Sequence, residues 1–247
     1  MALQETFENQ GNWLFKRRSF FPLLIVMVGG GWYSFLLYNQ IVLVHAWWID
    51  FLFLCVGFLG LGIRILTVGF TPKGTSGRNT GAGQIAEQLN TAGIYSMVRH
   101  PLYLGNFFMW LAPVLIISDL WFTLFFCAFY WIYYERIMYA EEQFLRKKFG
   151  QIYLDWADQT PAFFPKFSLY QKANLQFSFK NVLKREYNGF FFLVLIITLL
   201  RIIGFLITTK QFYLDTPWII IFATVLAIFL VLKILKKFTK ILDVEGR

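Results

Sequence analysis

The chain has 247 residues, 57% of them hydrophobic, 21% aromatic and only 15% charged, with a formal net charge of +9. A soluble domain is nearer half apolar and a quarter charged, so one buried core cannot absorb this much apolar surface, and much of it must face lipid. The basic excess falls between apolar runs rather than on one patch, which argues against a nucleic-acid partner and for loops at an anionic bilayer surface.

A bilayer core about 30 Å thick needs roughly 20 apolar residues of helix. Six segments meet that demand: 20–38, 47–66, 102–118, 120–139, 189–208 and 217–235. The expected fold class is therefore all-α, a polytopic helical bundle with about six transmembrane helices. The third and fourth segments are separated by almost nothing, so they form a tight helical hairpin. Lys and Arg alternate between loops. Lys16, Arg17 and Arg18 precede the first segment, residues 39–48 hold none, and Lys73, Arg78 and Arg99 follow the second. The stretch 136–185 is strongly basic, and Lys233, Lys236, Lys237 and Lys240 lie near the end. This alternation predicts both termini on the cytoplasmic side. No small-residue cleavage site follows the first segment, so no removable signal peptide is expected. Three regions follow: 1–90 with two spans and a loop, 91–166 with the hairpin, and 167–247 with an interfacial segment and two further spans.

Cys55 and Cys127 sit in apolar runs with no partner at disulfide or metal-ligand spacing and read as small core residues. No metal is expected. The "GAGQIA" at 81–86 has the glycine spacing of a dinucleotide fingerprint but lacks the preceding strand and the βαβ unit that such a fingerprint needs.

Two polar stretches carry chemistry. In "VRHPLYLGN", Pro101 suits the first turn of a helix, which sets Arg99 and His100 at the positive end of the helix dipole. Two more cationic groups there call for an anion, although Arg99 reaching lipid phosphates is the plain alternative. In "YYERIMYAEEQFLRKKFG", Glu142 can pair with Arg146 one turn on, whereas Glu141 shares a face with Ile137 and Leu145. A carboxylate on an apolar face is costly unless it meets a cation. One stretch wants an anion, the other a cation, and the hairpin returns both to one membrane face. A zwitterion such as S-adenosylmethionine, with its carboxylate, ammonium and sulfonium, fits both.

These residues also resemble a family. "TAGIYSMVRHPLYLGN", then "EEQFLRKKFGQIYLDW" and "PAFFP", are similar to the isoprenylcysteine carboxyl methyltransferase and phospholipid methyltransferase group over residues 91–165. Gly93, Tyr95, Val98, Arg99, His100, Pro101, Tyr103 and Gly105 carry the first part of the pattern, and Glu141, Glu142, Leu145, Phe149, Gly150, Tyr153 and Pro165 the rest. Trp156 stands where that group often has tyrosine. The resemblance implies an integral membrane enzyme, in a bacterial inner membrane, that uses S-adenosylmethionine from a cytoplasmic pocket. It implies Arg99 and Glu141 as catalytic residues and Tyr95, His100, Pro101, Tyr103, Gly105 and Glu142 as cofactor-binding. Membrane sterol reductases using NADPH look similar around the same motif but carry aspartate after the glycine, where this chain has Asn106, and lack the paired glutamates. Adjacent carboxylates suit a sulfonium and repel cofactor phosphates, which puts the methyltransferase ahead.

The expected acceptor is a membrane lipid. A lipid phosphate, as in the branch that methylates the 1-phosphate of lipid A, stands slightly ahead of a prenylcysteine carboxylate, with a phospholipid amine behind. Arg201, alone inside the fifth span, is expected either to bind a lipid phosphate or to reach an interface, and Arg78 and Tyr153 join it as candidate substrate contacts. A lipid-binding scaffold without enzymatic activity is the reading of another class.

Overall fold

The computed structural model describes residues 2–18, 20–72, 74–75, 79–80, 83–84 and 86–246, the side chains of 20–22, 79–80 and 83–84 excepted. Among the described residues, eight α-helices make the fold: α1 (Leu3–Arg17), α2 (Phe20–Tyr38), α3 (Trp47–Gly69), α4 (Pro101–Ile116), α5 (Leu120–Phe149), α6 (Gln151–Gln159), α7 (Phe179–Thr209) and α8 (Thr216–Phe238). Beyond them, a two-residue antiparallel pairing joins Asn79–Thr80 to Gly83–Gln84. Three helices, α3, α7 and α8, are long and apolar enough to cross a bilayer, and α2 and α4 are shorter apolar helices. The large exposed side chains on them, such as Met27, Leu52, Leu66, Leu199 and Ile220, are the lipid-facing surface that the composition demands. The protein is an integral membrane helical bundle.

Each expected span became a helix, and two of them grew. At 1.5 Å per residue the 30-residue α5 is about 45 Å long, well beyond a hydrocarbon core of about 30 Å. Its last turns, with Glu141 and Glu142, stand clear of that core. Helix α7 begins at Phe179, inside the stretch expected to lie flat on the membrane. The Ser178 side chain caps it by accepting from the Asn181 N–H, and the Ser178 N–H donates to Gly69 O at 2.9 Å. The Asn181 amide donates to Val68 O at 2.9 Å. These bonds satisfy the open backbone groups at the end of α3 and the start of α7 together, which favours helix over a surface segment.

Helix α3 lies tightly on α4. A Cβ on Gly60 would come within 2.3 Å of Gly105 O, so only glycine lets these backbones approach so closely. The hairpin turn puts Ser118 at φ +56° and then lets Asp119 cap α5 by accepting from the Phe122 N–H at 2.5 Å. Helix α1 packs along the outer half of α5, where Gly11 touches the backbone at Arg136 and Lys147 reaches Glu8 at 2.5 Å. The tail folds back too, since Lys184 of α7 pairs with Asp243. Both ends of the chain therefore lie at the end of the bundle that holds α4's first turn. Arg78 and all of the "GAGQIA" stretch but Ala86 lie outside the described residues or their described side chains.

Candidate active site

The loop before α4 is held from both sides. Arg99 N–H donates to Pro161 O at 2.9 Å, His100 N–H to Ala162 O at 3.1 Å, and Lys166 N–H to Met97 O at 3.0 Å. The "PAFFP" segment thus runs beside "VRHP" and fixes it against α4. Pro101 starts α4 as its sequence position requires. Trp156 serves where tyrosine is usual by donating its indole N–H to Tyr95 O at 3.2 Å.

The basic pair and the acidic pair meet. His100 Nε2 lies 2.9 Å from Glu142 Oε1, and His100 Nδ1 lies 3.7 Å from Glu141 Oε2. The Tyr103 hydroxyl donates to Glu141 at 3.0 Å, and Arg99 Nε stands 3.2 Å from Glu142. Arg99 also donates to Ala157 O at 2.9 Å. His100 and Glu141 are buried, at 6% and 5% exposure, so their charges survive only because they compensate each other.

The protonation states follow from that compensation. Burial by itself would lower the His100 pKa, but the hydrogen bonds and charges of Glu141 and Glu142 outweigh it, and the net shift is upward from 6.5. Burial would raise Glu142, but His100 and then Arg99 prevail and lower it from 4.5. Both shifts favour the imidazolium–carboxylate pair. Burial, with Glu141 next, raises Tyr95, and burial, with Glu142 next, raises Tyr153, so both stay neutral phenols. Arg99 Nε and the Tyr153 hydroxyl both face Glu142, and each helps to hold its carboxylate in the charged form.

This cluster opens into a cavity of about 970 Å³ between α2, α3, α4 and α7. Its near wall carries Tyr95, Arg99, His100, Tyr103 and Glu141. Its far wall is apolar, with Leu23, Val26, Trp110, Phe192 and Ile196. Between them stands a second ionic group. Arg64 of α3 donates to Glu186 of α7 through Nε at 2.7 Å and through a terminal nitrogen at 2.9 Å, and to Asn106 Oδ1 at 2.7 Å. Gly105 explains how Arg64 gets there: a Cβ at that position would lie 2.6 Å from Arg64 Cγ.

Residues 51–152 match the phospholipid methyltransferase family. The resemblance read from the motifs fits that match. The chain is 31% identical to the cobalt-zinc-cadmium resistance protein CzcN of Cupriavidus metallidurans, over 50% of this chain and 54% of that protein. It is 32% identical to the nickel-cobalt-cadmium resistance protein NccN of Alcaligenes xylosoxydans xylosoxydans, over 51% and 56% respectively. A third relative is the protein-S-isoprenylcysteine O-methyltransferase of Schizosaccharomyces pombe, 31% identical over 44% of this chain and 48% of that one. The chain spans about half the length of these curated relatives. No solved structure matches.

The phospholipid methyltransferase-like region holds Arg99, His100, Pro101, Tyr103, Gly105, Glu141 and Glu142, with Tyr95 and Tyr153 against the same cluster. Arg201 lies elsewhere. It sits 15 residues beyond Glu186 on α7, about 22 Å along the helix, and pairs there with Asp50 and Asp215. Sequence reasoning passed over Arg64, Asn106 and Glu186 as parts of the cavity. Arg64 gave the same signal as Arg201, an arginine inside an apolar run, and Glu186 was hidden in a stretch read as surface.

Proposed function

We propose that the protein is an S-adenosylmethionine-dependent methyltransferase of the inner membrane, acting from the cytoplasmic face on an anionic oxygen of a lipid headgroup. The observation that carries this is the meeting of Arg99 and His100 with Glu141 and Glu142 at the head of a cavity with an apolar far wall. A ligand bearing both signs can exchange with these pairs, its carboxylate taking Arg99 and its cationic centres taking the glutamates, and the one positive charge left over is matched by an anionic acceptor. The donor set therefore fits S-adenosylmethionine, whose sulfonium, when bound, supplies an activated methyl group.

About 970 Å³ is at the upper end of pockets that hold a single drug-sized ligand, roughly 300–1,000 Å³, and the apolar wall has no use for a nucleoside. That wall suits the tails of a second occupant, a lipid. The protein's own work is then alignment: Glu141 and Glu142 orient the donor, and the basic groups hold the acceptor oxygen in line with the methyl carbon. An oxygen–carbon bond forms as the carbon–sulfur bond breaks, and the sulfonium charge is neutralised by the anionic acceptor. Good alignment of two bound reactants supplies several kcal/mol. Exclusion of water strengthens the attraction between them. A phosphate or carboxylate oxygen is already ionised near neutral pH, so no proton need leave the acceptor. Among anionic acceptors we place a lipid phosphate, such as the lipid A 1-phosphate, ahead of a prenylcysteine carboxylate.

The deciding experiment is binding of radiolabelled S-adenosylmethionine by the detergent-purified protein, followed by transfer to a panel of lipid acceptors. Binding of NADPH in its place, or turnover on none of the lipids, overturns the reading.

A further inference from the structure

The Arg64–Glu186 pair lies on the wall of the cavity, beyond the cluster that fits the donor. It joins two long apolar helices, α3 and α7, and Glu186 lies outside the residues that match the family. Glu186 is 4% exposed, and its carboxylate engages the Arg64 fork through both oxygens. That two-pronged geometry is the one an arginine offers to a phosphate or a carboxylate. A side chain of the protein therefore stands where the oxyanion of a ligand would be held.

The charge around the pair tells which ligand. Among the described residues, the cavity is lined by Arg18, Arg64, Arg99, Lys184, Arg185 and Lys236, against Glu141 and Glu186. The wall is in excess of positive charge before any ligand enters. An anion that takes Arg64 from Glu186 lowers this excess. Glu186, once released, still faces a cavity whose lining also includes Arg18, Lys184, Arg185 and Lys236. The apolar surface of Phe192, Leu193 and Ile196 continues directly from Glu186 along α7, so an anion seated at Arg64 has its hydrocarbon part laid on that helix.

We infer that Arg64 is the binding residue for the acceptor's anionic headgroup and that Glu186 is a built-in stand-in for that headgroup, holding Arg64 in place until a lipid anion displaces it. Glu186 acts through Arg64 and is a positioning residue. Asn106, which accepts from Arg64 at 2.7 Å, keeps the guanidinium in place during the exchange. The inference rests on the lipid-headgroup reading above, and makes α7 the element that sets acceptor affinity.

The test is lipid binding without any methyl donor, so its outcome is separate from that of donor binding. Dioctanoyl phosphatidic acid is the anionic probe, dioctanoylglycerol the uncharged one and dioctanoyl phosphatidylethanolamine the zwitterionic one, each titrated against the full chain in detergent. Wild type should prefer phosphatidic acid to dioctanoylglycerol, and Arg64→Gln should remove that preference. Glu186→Gln should tighten phosphatidic acid binding by about tenfold, the order expected on removing one competing charge-assisted pair, and leave dioctanoylglycerol unchanged. A merely structural ion pair would not tighten anything when broken. Glu186→Asp, which keeps the charge and shortens the reach, should shift binding in the same direction by less. Weaker or equal phosphatidic acid binding in Glu186→Gln overturns the inference, and a loss confined to phosphatidylethanolamine would assign Glu186 to an amine instead. If neither Glu186 variant folds, failure of the wild type to prefer phosphatidic acid overturns it.

Discussion

Two buried ionic clusters lie at opposite ends of the bundle, and they are built from the same residue types. At one end, Arg99, His100, Tyr103, Glu141 and Glu142 line or adjoin the large cavity, with Arg64 and Glu186 beside them. At the other, Arg201 donates to Asp50 and Asp215, and His45 bridges Asp50 at 2.8 Å and Ser118 at 2.6 Å. None of this second set lines the large cavity. Arg201 is instead enclosed by protein, at 1% exposure, with the rings of Phe205 and Trp218 centred 5.6 Å from its guanidinium carbon. Serine, histidine and aspartate here follow the order of a nucleophile triad. Yet the Asp50 carboxylate is shared with Arg201, which withdraws the charge that a histidine base would need. What separates a site from a staple is adjoining volume in which a ligand can take over one of the pairs. The second cluster ties α3, the α4–α5 turn, α7 and the start of α8, and we read it as structural.

The largest effect that would test this contrast is at Glu141. Glu141→Gln should cut methyl transfer by at least about a hundredfold in protein that still expresses and folds, with a lowered melting temperature, since an amide keeps the Tyr103 hydrogen bond but leaves His100 and a bound cation without its charge. Retained turnover would remove Glu141 from the site. Next comes Arg201→Ala, which leaves Asp50 and Asp215 without their cation and should cost about 3–5 kcal/mol of stability in denaturant unfolding. Donor affinity of the folded fraction should not change; a loss of affinity in well-folded protein would show that the two ends are one functional unit.

A smaller effect sharpens the comparison through pH. His100 is raised above 6.5, so its contribution to stability is complete below that value and fades as pH climbs through the raised pKa. Glu142 is lowered below 4.5, so its contribution is complete above that value and fades as pH drops through the lowered pKa. Melting temperature should therefore be flat between about 4.5 and 6.5 and fall on both sides, and His100→Gln should flatten the alkaline side. An unchanged alkaline limb would remove His100 as its cause. Smallest of all is Ser118→Ala, which should cost no more than about 1.5 kcal/mol, the worth of one hydrogen bond. Wild-type Ser118 should also resist a fluorophosphonate probe, and its labelling would turn the staple into a nucleophile.

Much of the fold was legible because helix length against bilayer thickness is a strong constraint, and every expected span is a helix. Where the reading stopped short, the reason is local. Residues 179–187 look like a charged surface segment in isolation, and they became helix through bonds to the end of α3. Residues 3–17 offered no long apolar run, and α1 is held by packing on α5. At the site, nine of the expected residues came together because they lie in one contiguous motif and its hairpin partner. Arg201 was read on the cost of a lone charge, but its partners Asp50 and Asp215 are 151 and 14 residues away along the chain.

The sequence by itself determined that this chain lives in a membrane, that six of its segments are apolar helices, and that a basic motif and an acidic pair return to one face, because hydrophobicity and hairpin length are local quantities. Only the tertiary structure decided which buried arginine faces open space. Arg64 and Arg201 are alike as letters in an apolar run, and whether a cavity or a packed wall surrounds each depends on helices brought in from distant parts of the chain.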